Sequence, residues 1–366
     1  MSFSIRNPQS EIHNPKSAIE MVNSGDSPST GKSQKLEELR SMIRYVVEIG
    51  ACLFAWNLLE GFVRAFPRTW RFPAQIVLPF GLVLVTRRWA GGNWSLRNLG
   101  MKFPKYEGWA EGFWLVCFHS TYVLAILLLL ARFRYYYLLD FLSRYNRALT
   151  GASSSYEVFA FGIAAYSLGQ LAFGGEVFHR GYVQGLGTEV FSPVAGAFVS
   201  WLSFGAFYAT EAARLGYRVW PHAWIWAALA LFPGPLFESH YFRHGSLIPL
   251  IIIRFIGGFL PFALAAFFWY WYPERSFIIS MPFLWGGLLL LGLATITQIR
   301  RVYSICATCA LIVKAGWPRG LAPGLGISLC MLSAARIPNT LMKTAVLLAA
   351  LACLRLRSLQ RHQRKK

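Results

Sequence analysis

The chain has 366 residues, of which 55% are hydrophobic and 14% charged, well below the roughly 25% charged of a soluble globular protein. Its 36 lysines and arginines against 16 aspartates and glutamates give a formal charge of +20, but the basic residues lie at the ends of apolar runs. These features exclude an ordinary soluble domain and argue against a nucleic-acid partner; they point to a polytopic membrane protein whose first partner is the lipid bilayer.

Residues 1–40 read as a polar tail. A short tandem, IRNPQSE (Ile5–Glu11) then IHNPKSA (Ile12–Ala18), leads into NSGDSPSTGKS. So few apolar side chains cannot offset the entropy of ordering, and disorder is predicted. No cleavable signal peptide is expected ahead of so polar a stretch. Lys32, Lys35, Arg40 and Arg44 precede the first apolar run, and Arg355, Arg357, Arg361, Arg364, Lys365 and Lys366 follow the last. The positive-inside rule then places both ends in the cytoplasm, with the bundle in the plasma (inner) membrane and an even number of spans.

Apolar runs predict spans at about 45–63, 74–85, 109–131, 156–187, 190–208, 222–237, 246–271 and 277–297. Beyond Arg301, the pieces YSICATCALIV, LAPGLGISLCML and TLMKTAVLLAALACL make two spans, or a hairpin and one span, for about eight to ten in all. Runs such as VLAILLLLA (Val123–Ala131) do not alternate as barrel strands would, so the fold class is all-α, a polytopic transmembrane helical bundle. The chain divides into the 1–40 tail, a bundle over 41–300, and added apolar helices with a basic tail over 301–366. Trp109, Trp220, Trp224, Trp226, Trp269 and Tyr270 sit at segment ends as interface anchors. Six cysteines show no disulfide framework, and Cys306-x-x-Cys309 lacks a second ligand pair, so these two read as buried small hydrophobes.

Ionisable side chains inside apolar runs are costly, and each is a site candidate. In FGGEVFHRGYVQGLG (Phe173–Gly187), Glu176 and Arg180 lie four apart with the acid first, the favoured helical ion pair, and His179 shares their side. Mutual neutralisation at a helix end is one reading; a functional face is the other. Glu48 and Glu60 each have an arginine four residues away, Arg44 and Arg64, and read as interfacial pairs. Glu211 and Arg214 read as a solvated loop pair. His119, mid-span, either faces the site or is a buried, hydrogen-bonded imidazole. His240 and His244 have one-face ligand spacing, but they lack the glutamate of HExxH and run directly into a glycine. An interfacial cluster with Arg243 is expected there, not a metal site. No cofactor is assigned.

GEVFHRG resembles the EExxxRG motif of the CAAX-protease and bacteriocin-processing family of intramembrane endopeptidases. The family's second motif, FxxxH, has a counterpart in Phe204-Gly-Ala-Phe-Tyr208, 28 residues beyond Arg180 at its last position. Its third, HxxxN after a GSLxP phrase, has a counterpart in HGSLIPLIIIRFIGG, where Arg254 and Gly258 fall at the histidine and asparagine positions. The resemblance places a family-like core at about 156–271. It implies candidate catalytic residues Glu176, Arg180, Tyr208 and Arg254, and a hydrophobic or lipidated peptide as substrate.

In that family the first glutamate and the FxxxH histidine activate water, while the HxxxN pair stabilises the oxyanion. Here those four positions are Gly175, Tyr208, Arg254 and Gly258. Glycine abstracts no proton, and a tyrosine with a reference pKa near 10 is a poor base at neutral pH. Proteolysis is therefore expected to be divergent or lost. A free Glu176 beside Tyr208 and Arg254 would fit a residual peptidase. A Glu176 tied to Arg180 would fit a non-catalytic relative that binds a peptide tail, a lipid or a membrane protein. A transporter would call for internal repeats, which the bundle sequence lacks.

Overall fold

A computed structural model describes residues 32–65, 68–92, 94–133, 140, 142–144, 155–214, 230–271, 275–337 and 340–363. The helices are α1 (Lys32–Ala65), α2 (Arg68–Trp89), α3 (Tyr106–Phe133), α4 (Tyr156–Val190), α5 (Pro193–Arg214), α6 (Gly234–His244), α7 (Ile248–Trp271), α8 (Ser276–Thr297), α9 (Ile299–Arg336) and α10 (Thr340–Gln363). No strand occurs among the described residues. Five helices there are long and apolar enough to cross a membrane: α1 within Leu36–Leu59, α3, α4, α7 within Ile248–Phe268 and α8 within Ile278–Thr297. These make the chain an integral membrane protein. The runs expected at 74–85 and 190–208 are helical, within α2 and α5, but are not among those five. Most of 222–237 lies outside the described residues.

Helix α1 begins at Lys32, so 32–40, expected in the tail, is already helical. KLEELRSMIR is rich in strong helix formers, and Arg40 pairs with Glu37 at 2.8 Å, i,i+3.

Helix α4 is the axis of the core. Its Val177, Phe178, Tyr182 and Val183 are fully enclosed. Trp56 of α1 meets Phe178 edge-on with ring centroids 5.5 Å apart, and the Tyr45 hydroxyl donates to the Val183 carbonyl at 2.9 Å. Helix α8 is the counterexample, with Ile278, Trp285, Leu289, Leu293 and Ile296 all exposed, as a face turned to acyl chains would be.

Glu48 has partners beyond its own helix. Arg87 of α2 approaches both its oxygens at 3.4 Å, and Tyr182 of α4 donates to Oε1 at 3.1 Å. Arg44 also donates to the Ala90 carbonyl. Glu48 is 1% exposed and faces the core rather than an interface, where neighbouring helices supply donors. The side chains of Glu60, Arg64, Glu211 and Arg214 lie outside the described residues. The cysteines are unpaired, and Cys306 is exposed where burial was expected.

The two apolar pieces after Arg301 form one continuous helix, α9, through Pro318 and Pro323. Each proline removes a backbone donor and would end an isolated helix. Packing on α5 offsets that loss. Gly316, Gly320 and Gly324 form a stripe four residues apart, and a Cβ on each would come within 2.6 Å of Phe198 Cβ, 2.8 Å of Phe198 Cδ1 and 2.8 Å of Leu202 Cδ1 respectively. Small residues at that spacing let two helix backbones come close. A Gly320→Leu substitution is expected to destabilise the protein by about 1–3 kcal/mol through overpacking. Gly292→Leu in α8, where a Cβ meets nothing within 4 Å, should be neutral. Thermal unfolding of both in detergent micelles checks the contrast.

Candidate functional site

The backbone of α4 is π-helical over Ser167–Gly175 and Val177–Gln184, with Glu176 between the two segments. Such wide turns are rare in proteins and are frequent at functional sites. Glu176, His179 and Arg180 are all fully buried. The pair expected from their spacing is present, with Arg180 Nη1 3.3 Å from Glu176 Oε1.

The closer partner comes from another helix. Arg254 of α7 donates from Nε to the same Glu176 Oε1 at 2.9 Å. Arg180 in turn places its Nε 2.8 Å from Glu238 Oε1 of α6. The order is therefore Arg254, Glu176, Arg180, Glu238: two cations alternating with two anions, balanced in charge and shut away from solvent. Aromatic faces sheath the guanidiniums. Arg180 lies 4.0 Å and Arg254 4.5 Å from the Phe204 ring centroid, and Arg254 lies 3.9 Å from that of Phe237.

Neutral groups complete the cluster. Ser203 Oγ donates to the Ser200 carbonyl at 2.9 Å, so the contact of His179 Nδ1 with Ser203 Oγ at 2.9 Å makes Nδ1 the protonated nitrogen. Ser200 Oγ lies 3.1 Å from Glu238 Oε1 and 2.9 Å from the His179 carbonyl, with one proton to give to either. His119 of α3 faces the site: its Nε2 lies 3.4 Å from Arg254 Nη1 and can only accept there. Gly257 makes room for that ring, since a Cβ would come within 2.2 Å of His119 Cδ2.

Of the residues expected at the site, Glu176, Arg180 and Arg254 converge. Tyr208 is half-buried on α5, its ring 5.1 Å from Phe204. Gly175 and Gly258 are buried and offer no side chain. Glu238, Ser200 and Ser203 are members that sequence reasoning missed. Glu238 had a signal of its own, an acid in the same short segment as His240 and His244.

A second cluster lies on another side of α6. His240 and His244 approach Glu111 of α3: His244 Nε2 is 2.7 Å and His240 Nδ1 3.5 Å from Glu111 Oε2, while Arg243 Nη2 is 2.8 Å from Oε1. The expected association with Arg243 is thus present, but it is organised around a carboxylate that the sequence reading passed over. Burial holds the His240 imidazole below its ordinary pKa, against the pull of Glu111.

No family model, no curated protein and no solved structure matches the chain.

Removing one partner of the central pair leaves a buried charge uncompensated, so Arg254→Met is expected to cost about 3–5 kcal/mol. The double variant Glu176→Gln/Arg254→Met should recover part of that loss, because neither charge is then stranded. Unfolding of the three proteins in detergent measures the difference.

Proposed function

We propose that the protein is a non-catalytic integral membrane protein built on a bundle like that of the CAAX-protease and bacteriocin-processing family. Its role is to bind a hydrophobic or lipidated peptide tail or a membrane protein partner. The observation that carries this reading is the state of Glu176: its Oε1 is shared by Arg254 and Arg180 in a fully buried cluster. A general base must be free to take a proton from water within hydrogen-bond reach. The Oε1 of Glu176 is instead committed to two guanidiniums.

The substituted motif positions support the same reading. Gly175 brings no carboxylate, and Arg254, at the family's histidine position, is engaged with Glu176 rather than presented to a substrate. The bundle around the cluster still offers apolar helix faces to lipid and to hydrophobic partners. A residual peptidase is the second reading, favoured by Glu176 Oε2, which has no protein hydrogen-bond partner. That oxygen, like His179 Nε2 and Glu238 Oε2, is an unpartnered atom of the cluster from which water activation could start.

The two readings separate in a cleavage assay. The detergent-purified chain is expected to cut no member of a panel of prenylated and hydrophobic peptides faster than the Glu176→Ala variant does. Turnover abolished by that substitution would replace the binding role with a divergent peptidase.

A further inference from the structure

Glu111, His240 and His244 each offer one ligand atom, and these three atoms lie within 4.8 Å of one another. We propose that they form a binding site for a divalent transition metal, with zinc as the expected occupant. The site is distinct from the Glu176 cluster and does not rest on the functional reading above.

Four features of the chain support it. First, the two histidines are one helical turn apart on α6, so both rings leave the same face and reach one point. Second, His240 is fully buried, yet neither of its ring nitrogens has a hydrogen-bond partner. Buried polar atoms nearly always find one, and a nitrogen left over beside a carboxylate and a second imidazole has the surroundings of a metal ligand. Third, the donor set is two imidazoles and a carboxylate, as in catalytic zinc sites, which leave a fourth tetrahedral position open to water. Fourth, Arg243 holds Glu111 Oε1 and leaves Oε2 turned towards both histidines. A ligand carboxylate is usually oriented by such an outer partner.

The surroundings prescribe the geometry. Gly108 and Gly112 flank Glu111 on α3; a Cβ on the first would come within 3.3 Å of the His244 ring, and one on the second within 3.3 Å of Pro249. These close approaches bring Glu111 up to the end of α6 and the start of α7. Gly245 ends α6 in the left-handed conformation, φ 56°, and its amide donates to Tyr241 at 2.7 Å. The chain after it is tied down at once, with Leu247 N donating to Gly100 O at 2.9 Å. His244 therefore sits on a fixed last turn, and its partial exposure gives the ion a route in.

The metal-free arrangement differs from the loaded one in one step. The 2.7 Å contact between His244 Nε2 and Glu111 Oε2 is a hydrogen bond, and the ion takes the place of its proton. Both nitrogen ligands must be neutral for that, so binding weakens as the pH falls through the imidazole range.

The test uses the full chain, purified in detergent through a histidine-free tag, stripped with a chelator, reloaded with zinc and freed of excess metal. Elemental analysis is expected to find about one zinc per chain. Glu111→Gln and His240→Ala should lower the affinity by at least about tenfold. His244→Gln should do the same while eluting from gel filtration like the unmodified protein, which separates ligand loss from misfolding. Cys306→Ser/Cys309→Ser should keep the metal. Failure of the unmodified chain to retain zinc, or retention unchanged in well-folded His244→Gln, would overturn the proposal, as would loss of zinc in the cysteine variant alone.

Discussion

The bond from Arg254 Nε to Glu176 Oε1, 2.9 Å long and wholly buried, is the contact around which the bundle is organised. A single ionised side chain at that depth would cost several kcal/mol, and even a pair recovers its desolvation only when the geometry is good and further donors are satisfied. The chain limits that cost by alternating charges through Arg180 to Glu238 and by enclosing both guanidiniums with Phe204 and Phe237, although Arg180 Nη2 and Arg254 Nη2 have no protein acceptor. The members come from α4, α6 and α7, with the aromatic and hydroxyl lining from α5 and an imidazole from α3. No helix can slide along its neighbour without stranding a charge, so the cluster sets the register of the bundle.

Helix α6 carries a disproportionate share of this. It has only 11 residues, yet Glu238 joins the charge cluster while His240 and His244 turn to Glu111. One short helix thus borders two polar sites of different chemistry. The first is balanced and closed. The second has one carboxylate, two imidazoles, and a guanidinium on the far oxygen, so it retains capacity for a cation. The left-handed Gly245 and the tie from Leu247 to Gly100 hold this helix where both sets of contacts can form.

The functional reading follows from which carboxylates are occupied. Two cations share the Oε1 of Glu176, and the preceding position, Gly175, brings no second acid. Arg254 decides the chemistry of this site: its guanidinium stays charged and does not relay protons. The same side chain supplies the tether between α4 and α7.

Much of this was legible in the chain itself. Apolar length and the scarcity of charge determine a helical membrane protein, because lipid leaves the backbone no other way to satisfy its hydrogen bonds. The four-residue spacing of Glu176 and Arg180 determined that they pair, since i,i+4 contacts are a property of one helix. What lies between helices was decided only by the tertiary structure. Glu48 was expected to pair with Arg44 on its own helix, but its burial also brings it donors from α2 and α4, Arg87 and Tyr182. Glu111 and His244 are 133 residues apart, and Glu238 lies 62 residues beyond Glu176, so no local pattern announces either cluster. The pieces YSICATCALIV and LAPGLGISLCML read as separate in the sequence, yet α9 runs through both, Pro318 and Pro323 included, because its glycine stripe fits α5. Local spacing determines which side chains can meet on a helix; only packing decides which partner a buried charge takes, since that choice rests on the distances between helices.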